Sequence, residues 1–194
     1  MKKVLKFTTV IALMFITSIG SASTPNLNVL SNAPKSLNFS MDTFEQATAI
    51  RLIDAHGYTI FSENTTNQKM YSKRFDLSNL ENGTLSLTIE NDLKKVVYTI
   101  ELTNSEVVIK ETNEILKPVF RKKGDKMYLN FLNLQKENVK IKVMNSSENI
   151  VFAETITDTV QIEKIFNFEN SVKEDFTIVV EVKGNSYYKT VAQK

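Results

Sequence analysis

Residue types that commonly catalyse reactions or bind metals are scarce in this chain. Its 194 residues include one histidine, His56, and no cysteine. A zinc site of the usual kind takes several imidazole or thiolate ligands, so His56 alone does not form one. Asp54 could orient His56 as a general base, but a Gly-x-Ser-x-Gly motif presenting a nucleophilic serine is absent. We therefore expect His56 to be an ordinary turn residue.

Acidic residues and glycines form no recognisable ligand motif. The sequence contains no D-x-D-x-D-G calcium loop and no glycine-rich phosphate loop. The adjacent carboxylates Glu174 and Asp175 fall in a predicted turn, where charges are usually solvated. Carboxylates from different strands could still meet, but no pattern indicates it. We expect no metal site, no cofactor and no catalytic residues, so the chain is not expected to be an enzyme.

The best candidates for a contact surface are two adjacent aromatic residues, Tyr187 and Tyr188, in a chain that has no tryptophan. Neighbouring residues of a strand point to opposite faces, so one ring should lie in the core and the other at the surface. The exposed ring could stack on a sugar or on another protein. The simpler interpretation, which the pattern favours, is an ordinary cross-strand aromatic.

The sequence repeats itself. Shifted by 91 positions, it aligns with itself without a gap over about fifty residues. Matched pairs include Ile50/Ile141, Phe61/Phe152, Glu63/Glu154, Lys73/Lys164 and Phe75/Phe166. A repeat of this length is a whole small domain rather than a solenoid unit, so the chain contains two copies of one fold.

Apolar and polar residues alternate through most of both copies, as in Leu85–Glu90 and Lys140–Val143. Such alternation is typical of antiparallel strands with one buried face. The predicted strands are 27–30, 36–41, 47–54, 58–63, 69–75, 84–91 and 95–103 in the first copy, and 117–121, 126–132, 139–145, 150–155, 159–166, 175–182 and 186–192 in the second. Seven short strands per copy predict an all-β protein of two tandem immunoglobulin-like antiparallel β-sandwich domains.

Two features of the second copy leave its local structure open. The stretch 160–172 could form a helix, although its counterpart, 69–81, favours a strand. The second copy also has Glu148 and Glu174 where the first has the turn residues Gly57 and Gly83. Since glycine readily adopts positive φ, we expect these turns to differ in conformation between the copies.

The N-terminal residues have the composition of an export signal. Lysines at positions 2, 3 and 6 precede an apolar run over 7–19, and the small residues Gly20, Ser21 and Ala22 follow. This run is shorter than the roughly 20 residues that cross a bilayer. The predicted organisation is a signal peptide (1–22), a first sandwich (23–105) and a second sandwich (106–194). Residues 107–112 could belong to either sandwich.

The charge balance argues against several classes of partner. Without the three lysines of the signal, 21 of the 24 basic residues remain against 22 acidic ones. This near-neutral balance lacks the excess of positive charge that nucleic acid requires. Without cysteine the chain cannot be a lipoprotein. We expect an exported protein, located in the periplasm, at the cell surface or in the medium. It should have no transmembrane segment after cleavage, and its partner would be a protein or a cell-envelope component.

Residues 50–61 and 75–83, with the sequences IRLIDAHGYTIF and FDLSNLENG, resemble the C-terminal sorting domain of type IX secretion cargo. That family combines a strand, D-x-x-G, a second strand, a F/I-D-L-S-x-L-x-x-G motif and a basic end. The resemblance covers about 55 residues of the first copy and implies an immunoglobulin-like sandwich in an exported protein of Bacteroidetes. In the second copy it survives as Met144-Asn145, Phe166-Asn167-Phe168 and a basic closing stretch over 188–194.

Two functions follow as hypotheses. The first is an exported, non-catalytic binding, adhesion or envelope-associated protein built of two β-sandwich repeats. The alternative is type IX secretion cargo whose C-terminal sandwich is a sorting address.

The predicted signal can be tested by N-terminal sequencing of the exported protein. Small residues at Gly20 and Ala22 suit a signal peptidase, so the mature chain should begin at Ser23. Exported material that still begins at Met1 would contradict this prediction.

Overall fold

The fold is all-β, as the alternating pattern predicts. A computed structural model of the chain describes residues 26–29, 35–41, 47–66 and 70–192. Every element in these ranges is a strand, and no helix long and apolar enough to cross a membrane occurs among them. The predicted signal peptide lies outside the described residues. The chain divides into two compact units between Ile115 and Leu116, which we call the first and second sandwich.

The described residues of the first sandwich form eight strands. In chain order they are β1 (Asn26–Val29), β2 (Ser36–Met41), β3 (Thr48–Ile53), β4 (Thr59–Thr65), β5 (Tyr71–Asp76), β6 (Gly83–Glu90), β7 (Lys94–Leu102) and β8 (Val107–Leu116). They form a three-stranded sheet of order β1-β2-β5 and a five-stranded sheet of order β4-β3-β6-β7-β8.

The second sandwich has seven strands. They are β9 (Val119–Lys123), β10 (Lys126–Leu132), β11 (Val139–Met144), β12 (Ile150–Ile156), β13 (Gln161–Asn167), β14 (Phe176–Val182) and β15 (Asn185–Val191). Their sheets have the orders β13-β10-β9 and β12-β11-β14-β15. Each strand from β9 to β15 thus takes the place of one strand from β1 to β7. Residues 161–167 form a strand, so the strand favoured by the repeat is confirmed and the helix considered for this stretch is wrong.

Each sandwich buries its own core. The alternation of Leu85, Leu87 and Ile89 in β6 places these side chains between the sheets, and Phe176, Ile178 and Val180 do the same in β14. Fully burying a side chain of this kind stabilises a fold by about 1.5–3 kcal/mol. The two copies therefore share the apolar spacing that holds the sheets together.

The strand that follows the first copy, β8, belongs to the first sandwich. β8 is the last strand of the five-stranded sheet, and Val107 at its start is buried in the core of the first sandwich. Ion pairs from Lys94 to Glu114 and from Lys110 to Glu101 tie β8 to β7. Residues 107–112, which the sequence left open between the two copies, therefore belong to the first sandwich, because β8 completes its five-stranded sheet.

We predict that residues 23–115 unfold cooperatively as an isolated fragment, with β-type circular dichroism. A fragment ending at residue 105 should lose at least about 2 kcal/mol of unfolding free energy, because Val107 no longer covers the core. Urea denaturation of both fragments measures the difference. Equal stability, or a strong helical signal, would contradict the role assigned to β8.

Candidate functional site

The pair that could resemble catalytic machinery, Asp54 and His56, is a turn. The carboxylate Oδ1 of Asp54 accepts hydrogen bonds from the backbone N–H of His56 at 2.9 Å and of Tyr58 at 2.8 Å. The His56 side chain is exposed, with Nε2 3.6 Å from a carboxylate oxygen of Glu81. Asp54 therefore holds the backbone of the turn between β3 and β4. Both of these hydrogen bonds come from backbone N–H groups, so neither of them orients the imidazole ring of His56. Among the described residues, no group of three or more acidic or histidine side chains is placed to hold a metal ion.

The second sandwich builds the same turn with different residues. The side-chain oxygen of Asn145 accepts from the backbone N–H of Ser147 at 3.1 Å and of Asn149 at 2.9 Å. Glu148 has a φ of 61°, and its counterpart Gly57 has a φ of 87°. The expectation that these two turns differ is therefore wrong. Glu148 adopts the left-handed conformation, because the hydrogen bonds to Asn145 hold the turn in place.

The other glycine replacement does change the local structure. A Cβ atom on Gly83 would come within 2.9 Å of the Cβ of Ala55, so glycine lets the two segments approach closely. In the second sandwich Glu174 replaces Gly83, and its carboxylate accepts a hydrogen bond from the hydroxyl of Ser146. The close contact of Gly83 with Ala55 in the first copy is thus replaced by a hydrogen bond between Ser146 and Glu174 in the second.

The second motif of the family pattern is also a turn. The carboxylate of Asp76 accepts hydrogen bonds from the hydroxyl and from the backbone N–H of Ser78, and these bonds lower the pKa of Asp76 below its ordinary value. In the second sandwich the side-chain oxygen of Asn167 accepts from the backbone N–H of Glu169. Both motif aspartates are thus asparagines in the second sandwich: Asn145 accepts the same two backbone bonds as Asp54, and Asn167 keeps the backbone bond of Asp76 without the hydroxyl bond.

Side-chain pairs close one side of each sandwich. Phe61 of β4 meets Phe75 of β5 edge to face, with ring centroids 5.1 Å apart. Phe152 and Phe166 form the same pair at 5.8 Å. These matched phenylalanines contribute to the cores, as expected from the repeat.

Matched ion pairs lie beside these aromatic pairs. Glu63 of β4 lies 3.6 Å from Lys73 of β5, and Glu154 lies 2.8 Å from Lys164 in the second sandwich. Glu63 also accepts a hydrogen bond from the hydroxyl of Tyr71. Burial, that bond and the charge of Glu63 together raise the pKa of Tyr71 above its ordinary range. The charges recurring in both copies therefore join the two sheets of each sandwich.

The two tyrosines singled out from the sequence lie on β15. Tyr187 is half-buried and packs against the core, while Tyr188 is 65% exposed. One ring therefore faces inward and the other outward, as strand alternation requires. Their role in contact with a partner stays a prediction. The sequence pattern did not reveal that β8 covers β7 in the first sandwich, whereas β15 has no such neighbour among the described residues.

The left-handed turn residue of the second sandwich gives a reciprocal test. In residues 116–194, Glu148→Gly should raise the unfolding free energy by up to about 1 kcal/mol, because glycine has no steric penalty at positive φ. Gly57→Glu should destabilise residues 23–115 by about 1–2 kcal/mol for the same reason. Glu148→Gln keeps the backbone penalty and serves as the control. Urea unfolding that shows no gain from glycine at position 148 would contradict this account.

One of the comparisons with known proteins, the match to a family model, supports the resemblance and export. Residues 33–110 match the family model of the secretion system C-terminal sorting domain. The search of curated proteins gave no match. A solved structure named "Biofilm associated protein - BSP domain" is 16% identical with a TM-score of 0.28, and the alignment covers 87% of this chain. This chain spans only 29% of that structure's chain.

The family match confirms the resemblance found in the sequence. It begins before β2 and ends within β8, so it includes both glycine turns and the Asp54 and Asp76 hydrogen bonds. A secretion sorting domain implies an exported protein. Over residues 33–110 the chain is therefore similar to secretion system C-terminal sorting domains.

Proposed function

We propose that this protein is cargo of the type IX secretion route. The observation that carries the proposal is the match of residues 33–110 to a secretion sorting domain. The matched residues form most of one complete sandwich with its own core, so the similarity concerns a folded domain rather than a short motif. The family match supports secretion cargo better than it supports the broader hypothesis of a binding or adhesion protein.

We assign the sorting address to the second sandwich. It keeps the geometry of the matched sandwich at three places: the turn held by Asn145, the aromatic pair Phe152–Phe166 and the ion pair Glu154–Lys164. The chain also keeps the basic end that the family resemblance implies, with Lys189 and Lys194 in the stretch 188–194. The loss of Gly57 at the equivalent position does not weaken the assignment, since Glu148 adopts the same backbone conformation.

We further propose that the protein works without catalysis. The only histidine is exposed, and the carboxylate beside it is engaged by backbone N–H groups. The ion pairs that recur in both copies join sheets instead of converging on a cleft. A protein of this construction acts through its surface.

A second candidate function is contact with a protein or a cell-envelope component. It is favoured by the exposed Tyr188 on a strand that is uncovered within the described residues. Aromatic side chains at such positions supply a large contact area at a low cost in conformational entropy.

Secretion can be tested with a periplasmic reporter fused in front of residues 116–194. We expect the fusion to reach the cell surface or the medium only when the type IX machinery is intact. The full chain should behave in the same way, and the reporter alone should stay in the periplasm.

The outcomes separate the two parts of the proposal. A second fusion carries residues 23–115 in place of 116–194. If this second reporter is released and the first is not, the address lies in the first sandwich. A full chain that leaves the periplasm equally well without the type IX machinery would contradict the cargo proposal itself.

A further inference from the structure

The last strand of the second sandwich has one covered side and one uncovered side. β15 pairs with β14 over seven residues, and it is an end strand of its sheet in the part of the chain that the structure describes. Its counterpart in the first sandwich is β7, whose other side is covered by β8. Among the described residues, the same edge is thus covered by a strand in the first copy and has no neighbouring strand in the second.

Most other edge strands carry features that discourage pairing with a further strand, and β1, which has neither a charge nor a register shift, is only four residues long. Pairing of β4 with β3 and of β12 with β11 is interrupted by a register shift, which twists an edge away from a regular ladder. Four further edge strands carry two or more charged residues each. These residues are Lys73, Arg74 and Asp76 on β5, Lys110, Glu111 and Glu114 on β8, Arg121, Lys122 and Lys123 on β9, and Glu163 and Lys164 on β13. Charge is a common protection of sheet edges.

β15 has little protection of either kind. Its register with β14 has no shift from Asn185 to Val191, and it contains a single charged residue, Lys189. The outward-facing backbone N–H and C=O groups of a regular edge strand are a template for another strand. The strand that best fits this edge can be inferred from the side chains of β15 itself.

β15 is complementary to its own sequence. In an antiparallel pairing centred on Tyr188, that residue faces its copy, Tyr187 faces Lys189, and Ser186 faces Thr190. Aromatic pairs, a cation beside an aromatic ring and hydroxyl pairs are all favourable across strands. The two Lys189 ammonium groups do not face each other in this register, so no like charges are opposed.

We propose that β15 pairs with β15 of a second copy of this chain, joining two four-stranded sheets into one continuous eight-stranded sheet. The exposed Tyr188 lies at the centre of this contact. Because each strand pairs with itself about a two-fold axis, the contact closes as a dimer and does not propagate into a filament. The inference is independent of the secretion route.

The strand is held in place before any partner arrives. The ammonium group of Lys122, on β9 of the facing sheet, donates a hydrogen bond of 2.8 Å to the backbone carbonyl of Ala192, just after β15. Val191 is buried in the core, so this end of the strand is fixed on two sides. A preordered strand loses little further conformational freedom on pairing.

The first test is the mass of the full chain by sedimentation equilibrium. We expect a dimer, and Tyr188→Lys should weaken it at least tenfold, because two ammonium groups would face each other at the two-fold axis. The matched control is Tyr58→Lys, which makes the same change at an exposed tyrosine in a turn of the first sandwich and should leave the mass unchanged. A monomer at concentrations up to about 1 mM would overturn the proposal. So would a dimer unaffected by Tyr188→Lys.

The second test maps the register by disulfide trapping, because the chain has no cysteine of its own. Residues directly opposite in an antiparallel pair have Cα atoms about 4.5–5.5 Å apart, a separation that a disulfide can span. Tyr188→Cys should therefore cross-link two copies on mild oxidation. Ser186→Cys should not, since its copies would lie about 13 Å apart along the strands. Circular dichroism checks that both variants fold, and cross-linking at 186 without cross-linking at 188 would overturn the register.

Discussion

Each sandwich depends on one side-chain oxygen in the turn that follows its third strand. That oxygen belongs to Asp54 in the first sandwich and to Asn145 in the second, and each accepts two backbone N–H groups. The turn sets where the next strand starts, and so brings Phe61 and Phe152 across to the facing sheet. Since a carboxylate and an amide offer the same acceptor oxygen, the residue could change between the copies without changing the turn.

The two copies share their interiors and differ at their edges. In β7, Val96, Tyr98 and Ile100 are buried, and β8 covers the strand. The matched positions of β15 are Tyr187, Lys189 and Val191, of which only Val191 is fully buried. A core position tolerates few side chains because packing is dense, whereas an edge position is limited mainly by what pairs with it. An added strand thus changed one sandwich without disturbing the core that both share.

Most of the fold could be predicted because period-two alternation and the internal repeat are properties of the chain itself. The repeat also identified residues 161–167 as a strand. The conformation of Glu148 could not be predicted, because its positive φ is imposed by Asn145, and residue type alone favours the opposite sign. The sheet to which β8 belongs could not be predicted either, since the sequence of a strand between two domains does not show which sheet it joins. Buried Asn133 is a similar case: its amide binds the backbone of Glu137 and Thr159, far apart in sequence.

The properties of β15 are difficult to explain by the folding of the second sandwich alone. β14 is buried along most of its length, so its apolar sequence follows from the core. β15 contributes only the buried Val191 and the half-buried Tyr187 to that core, which leaves its other five positions free of such a constraint. At edge positions without such a constraint, selection against aggregation would favour charges or a bulge. An unbroken strand with one charge and a large exposed ring is therefore better explained by a partner strand than by the fold.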